Sequence, residues 1–140
     1  MIENNSFELK MKAVSENESF ARHLVGEFVL SANPTIDELE DIKTSVSEAV
    51  TNAIIHGYED NDEGIVTLKC SIYQNKVVII VEDSGVGIDD VAKALEPFYT
   101  TKPDEERSGM GLPLIKSFMS KLEVASDGNG TRVTMTKFLH

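Results

Sequence analysis

The sequence holds 140 residues, with 24 acidic against 13 basic side chains and a formal net charge of −11. That length suits one domain able to bury its own core, and the negative balance disfavours a non-specific nucleic-acid surface, which is built from Lys and Arg. No stretch approaches the roughly 20 uninterrupted apolar residues of a membrane span, and Met1-Ile2-Glu3-Asn4-Asn5 lacks the basic flank and apolar run of a secretory signal, so a cytoplasmic location is expected.

Phe7, Leu9, Met11 and Ala13 alternate with polar residues and predict a strand. Ser15 with Glu18 three residues on has the form of a capping box, opening a helix with Phe20, Leu24 and Phe28 on one face. Thr35 and Glu38 repeat that signature before a longer helix with the apolar face Ile36, Leu39, Ile42, Val46, Ala49, Val50 and Ala53, ending near Gly57. The acidic run Glu59 to Glu63 reads as a solvated turn. Strands are predicted over 65–73 and 77–82, joined at Gln74-Asn75-Lys76, with Cys70 as a buried small hydrophobe in the first. A short helical stretch follows near Asp90 to Leu95, then an aperiodic segment from Pro97 to Ser108 that reads as a mobile loop. A helix from about Gly111 to Leu122 and two closing strands around 123–126 and 131–138, turning at Asp127-Gly128-Asn129-Gly130, complete the chain. The order implies a two-layer α/β sandwich, helices on one face of a mixed, mostly antiparallel sheet.

Three stretches carry chemistry. Glu48 and Asn52 are one helical turn apart, so they project from nearly the same face. An Asn carbonyl oxygen suits Mg²⁺, which takes one or two protein ligands beside phosphates and water, and Glu48 suits a general base. A polar stripe on an amphipathic helix is the plain alternative. Asp83-Ser84-Gly85-Val86-Gly87 follows a strand directly; its carboxylate suits the amino group of a base and its glycines a close backbone approach, or the segment is simply a turn. Gly109-Met110-Gly111 precedes a helix whose free N–H groups suit phosphate, with Pro113 in the first turn and Lys102 and Arg107 in the loop before it.

Together and in order, Glu48, Asn52, His56 and Gly57, then Asp83-Ser84-Gly85-Val86-Gly87, then Gly109-Met110-Gly111-Leu112 resemble the N box and the two glycine boxes of the GHKL superfamily. The resemblance implies a single domain over 1–140 that binds ATP with Mg²⁺ and is covered by an ATP lid at about 97–108. It implies Asn52 on the metal, Asp83 on the adenine assisted by Thr131, and nucleotide contacts from Gly85, Gly87, Thr101, Lys102, Arg107, Ser108, Gly109, Met110, Gly111 and Leu112.

The segments Glu16 to Arg22, Phe98 to Pro103 and Glu106 to Gly111 are similar to those of the anti-sigma-F serine kinases of endospore-forming bacteria. That likeness implies a homodimer that sequesters a sigma factor and phosphorylates a serine of an anti-anti-sigma protein. Glu48 would be the base, Arg107 a lid contact to phosphate or partner, and Arg22 a partner contact. No contact to nucleic acid or membrane is implied. A general-stress anti-sigma kinase, or an ATP-gated sequestering module without kinase activity, are the alternatives. His56 is expected to be structural, His23 and His140 to be ordinary surface residues, and Pro113 to vary the start of its helix.

Overall fold

A computed structural model of the protein describes residues 2–59, 63–96 and 111–140. Five strands, β1 (Asn5–Lys12), β2 (Ile65–Tyr73), β3 (Lys76–Asp83), β4 (Lys121–Asp127) and β5 (Gly130–Phe138), form one sheet in the order β1-β2-β3-β5-β4. Every pairing among the described residues is antiparallel, where a mixed sheet would carry a parallel one as well. Period-two alternation sends Val66, Leu68, Cys70 and Ile72 of β2, Val77, Ile79 and Val81 of β3, and Val133 and Met135 of β5 into the core. Burial in that apolar layer pushes the Cys70 thiol up to about 12, which leaves it unreactive. The opposite face is charged, with Glu82 paired to Arg132 at 2.9 Å and to Lys69 at 3.2 Å.

The helices α1 (Glu16–Phe28), α2 (Ile36–Asn52) and α4 (Gly111–Phe118) cover the apolar face, α2 lying between the other two. At the start of α2 the Thr35 hydroxyl accepts the Glu38 N–H at 3.1 Å and the Glu38 carboxylate accepts the Thr35 N–H at 2.8 Å, the full reciprocal box. The same signature at Ser15 does not form. Glu18 instead accepts from Arg22 Nε at 3.1 Å and from the Ser47 hydroxyl of α2, a charged and a tertiary partner that outcompete one local N–H.

The buried face of α1 also differs from expectation. Ala21, Val25 and Val29 are fully buried, whereas Phe20 is 51% exposed. Small residues face α2 because the two helices run close: a Cβ on Gly26 would lie 3.1 Å from the Lys43 side chain. Phe28 keeps a partial place, packed edge-on against Phe7 with ring centroids 4.7 Å apart. In α2 the interior face is Ile42, Val46, Ala49 and Val50, while Ile36 in the first turn points outward. The last helix stops at Phe118 rather than Leu122, because Ser120 N–H already bonds Thr136 O at 2.8 Å and Leu122 belongs to β4. A short helix α3 (Val91–Ala94) is capped by Asp90, whose carboxylate accepts the Lys93 N–H at 3.0 Å. Among the described residues no helix is long and apolar enough to cross a membrane. Residues 60–62 of the acidic run and residues 97–110, which include the whole expected lid at about 97–108, lie outside the described residues.

Candidate functional site

Beyond Asn52 the backbone of α2 widens into a π-helical turn, Ala53–Gly57, closed by Tyr58 N–H on Ala53 O at 3.0 Å. Such single wide turns re-aim the residues that follow. Here the turn brings the Gly57 carbonyl against the loop after β3, where it accepts the Val86 N–H at 2.9 Å. A Cβ on Gly85 would stand 1.8 Å from that carbonyl oxygen, and one on Gly57 would stand 2.8 Å from the Asp83 carboxylate, so the two backbones can meet only through glycines. Gly87 completes the loop at φ +80°, beside Asp127 O at the end of β4.

Asp83 ends β3 opposite Thr131 of β5. Burial pushes its carboxyl above the usual carboxylate range, and backbone N–H groups of Gly85 and Thr131 oppose that shift by bonding the ionised form. The Gly85 bond measures 2.9 Å. Two side chains that local sequence patterns did not single out brace this corner. The Tyr58 hydroxyl accepts the Ser84 N–H at 2.8 Å and donates to Ile65 O at 2.6 Å, tying the loop to the start of β2. The Ser126 hydroxyl accepts the Ile88 N–H at 2.6 Å and also meets Gly130 O and the Thr131 hydroxyl. Ser126 had a signal available: it occupies the inward position of the alternation Leu122, Val124, Ser126, where an apolar residue is the norm. Tyr58 had none.

Asn52, Asp83, Gly87, Gly111, Leu112 and Thr131 all line one cavity of about 340 Å³, closed on its apolar side by Ala53, Val81, Ile88 and Val133. Gly111 opens α4, and a Cβ there would lie 3.5 Å from Asn52 Oδ1, so the start of that helix faces the end of α2. Pro113 sits in the first turn of α4. Gly85 stands behind the lining and shapes it through Gly57. Glu48 is half-buried on α2 one turn before Asn52 and is not among the lining residues. His56 lines the cavity next to Gly57. Arg22 lies on α1, paired with Glu18. Thr101, Lys102, Arg107, Ser108, Gly109 and Met110 fall outside the described residues.

The donor set suits a nucleotide. A half-buried carboxylate beside an apolar wall matches the amino edge and flat face of a base, and the start of α4 opposite an amide oxygen matches phosphate and its cation.

Known proteins agree with that chemistry. The signature of the histidine kinase-like ATPase domain matches residues 12–137. The chain is 50% identical over 136 residues to an anti-sigma F factor of Clostridium novyi (strain NT), covering 96% of this chain and 95% of that one. It is 53% identical over 137 residues to the anti-sigma F factor of Caldanaerobacter subterraneus subsp. tengcongensis, covering 97% and 95%. Among solved structures, the RsbU and RsbW domains of Rv1364c from Mycobacterium tuberculosis superpose with a TM-score of 0.71 at 20% identity, over 97% of this chain and 33% of that one. The catalytic domain of histidine kinase ThkA superposes with a TM-score of 0.59 at 19% identity, over 95% and 97%. With the GHKL fold and half of its positions shared across nearly its full length, the chain belongs to the histidine kinase-like ATPase domain family and, within it, to the anti-sigma F factors.

Proposed function

We propose that this chain is a cytoplasmic anti-sigma factor and protein serine kinase: it sequesters a sporulation sigma factor and uses Mg-ATP to phosphorylate a serine of its anti-anti-sigma antagonist. The observation that carries the nucleotide half is the convergence of Asn52, Asp83, Gly111 and Thr131, from four separate elements, on one cavity. The partner half rests on the relatives that carry the name anti-sigma F factor. In this reading Mg-ATP supplies the phosphoryl group and the cation that offsets its charge. The chain's own residues do the rest. Asp83 and Thr131 hold the base, and the apolar wall excludes water from it. The N–H groups at the start of α4, with Lys102, Arg107 and the neighbouring lid residues, hold phosphate oxygens. Asn52 offers its amide oxygen to Mg²⁺, and Glu48 takes the proton of the attacking serine. Arg22 presents a charged contact to the protein partner, and the chain acts as a homodimer.

Transfer of label from γ-labelled ATP to a serine-bearing antagonist tests the enzyme. Glu48→Gln is expected to keep ATP binding and to lower transfer by at least about a hundredfold, the contribution of a general base. Co-purification of a sigma factor in ATP but not without nucleotide tests the regulator. Sigma retention with an unlabelled antagonist would leave an ATP-gated sequestering module in place of a kinase.

A further inference from the structure

The hydroxyl oxygen of Ser126 has neighbours that leave its proton no choice. Ile88 N–H reaches it at 2.6 Å, the Gly130 carbonyl oxygen stands at 3.1 Å and the Thr131 hydroxyl at 2.8 Å. A hydroxyl gives one proton and receives on two lone pairs, an amide N–H only donates, and a carbonyl only accepts. The Ile88 amide therefore takes one lone pair and the Gly130 carbonyl takes the proton. One lone pair remains for Thr131, which must donate to it. Were the Ser126 proton turned to Thr131 instead, the lone pairs of Ser126 and Gly130 would face each other at 3.1 Å with nothing between them.

The consequence falls on the cavity. Thr131 lines it, and with its own proton spent on Ser126 it shows the interior only lone pairs. Across the strand pair stands Asp83, whose carboxylate accepts the Gly85 N–H. Both polar groups of this wall are acceptors, and an acceptor wall asks for a donor.

We infer that Ser126, which does not line the cavity, is a specificity-determining positioning residue: it fixes the Thr131 hydroxyl as an acceptor, so that the wall of Asp83 and Thr131 takes a purine with an amino group at C6 and rejects one with a keto oxygen there. This deepens the nucleotide reading above and rests on it. The same oxygen fixes the exit of the glycine loop at Ile88, so one side chain sets both the shape and the polarity of the base pocket.

Calorimetric titration of the full chain with ATP and with ITP, its C6-keto counterpart, both with Mg²⁺, tests the inference. The unaltered protein prefers ATP. In Ser126→Ala the Thr131 hydroxyl is free to turn its proton inward, and the preference narrows by roughly five- to tenfold, the worth of one misdirected hydrogen bond. Ser126→Thr restores the acceptor and with it the preference. Equal weakening of both nucleotides in Ser126→Ala would mean that Ser126 only supports the fold, and would overturn the inference while leaving nucleotide binding intact. If Ser126→Ala does not fold, Thr131→Val decides. Loss of an acceptor weakens ATP and leaves ITP nearly unchanged, whereas the reverse order would show that Thr131 had been a donor and would overturn the inference. Failure of the unaltered protein to take up either nucleotide would sink the nucleotide reading itself.

Discussion

Asp83 places binding and folding in opposition at a single side chain. Burial raises its folded pKa above the unfolded value, so on acidification the folded chain takes up that proton first. Stability from this group is present below the ordinary carboxylate range and is lost as pH rises through the raised value, and the ionised form disfavours folding at neutrality. Asp83→Asn keeps an oxygen for the Gly85 and Thr131 N–H groups but has no charge to desolvate. It is expected to melt at or above the temperature of the unaltered protein near pH 7, with the difference shrinking toward pH 4, while its ATP affinity falls at least about tenfold through loss of a charged acceptor. Melting followed by circular dichroism across pH, beside calorimetry, reads both. Glu38 behaves in the opposite sense: the Thr35 N–H, and then His140, hold its carboxyl below the usual range, against the pull of burial. Its contribution is present above the ordinary carboxylate value and disappears as pH falls below it. Gln in its place should flatten the acid limb of the stability profile.

The apolar periodicity of the elements was legible, and their contact faces only partly so. The strands were readable because alternation is a two-state pattern, and β2 and β3 bury the positions that alternation marks. The buried face of α1 lies one position on from the one its bulkier residues Phe20, Leu24 and Phe28 suggest, because close packing against α2 does not allow that face. A face chosen by side-chain size ignores the distance between helix axes, which no single helix encodes. Stability should follow the observed faces: Ile42→Ala is expected to cost about 2–5 kcal/mol through lost transfer energy and a residual cavity, and Phe20→Ala less than about 0.5 kcal/mol, as urea denaturation can measure. Capping divides the same way. Thr35→Ala should cost about 1 kcal/mol, whereas Ser15→Ala should cost a few tenths, since the Ser15 side chain caps nothing.

For the whole molecule, the site was legible in its motifs and illegible in its supports. Asn52, Asp83 and Gly111 stand out because a polar pair one helical turn apart, a carboxylate at a strand end and glycine pairs mark a ligand approach, whereas Thr131 is reached only through the GHKL resemblance. Their convergence, the π-helical turn and the bracing by Tyr58 and Ser126 arise from tertiary contacts between segments far apart in the chain. Since the cavity exists only in the folded chain, nucleotide should stabilise the entire domain. At a free concentration one hundred times the dissociation constant, Mg-ATP is expected to add about 2.7 kcal/mol, seen as a raised melting temperature. At that same concentration Asp83→Asn, with affinity at least about tenfold weaker, should lose about half of that increment or more.

The position of β5 has a consequence for synthesis. This strand comes after β4 in the chain yet lies between β3 and β4, and it brings Thr131 to the cavity. A polypeptide still growing on the ribosome has both flanking strands but no bridge to join them, so it is expected to hold no nucleotide until residues 130–138 have emerged. Stalled chains halted before Gly130 should fail to retain labelled ATP, and chains extended past Phe138 by a linker long enough to clear the exit tunnel should retain it.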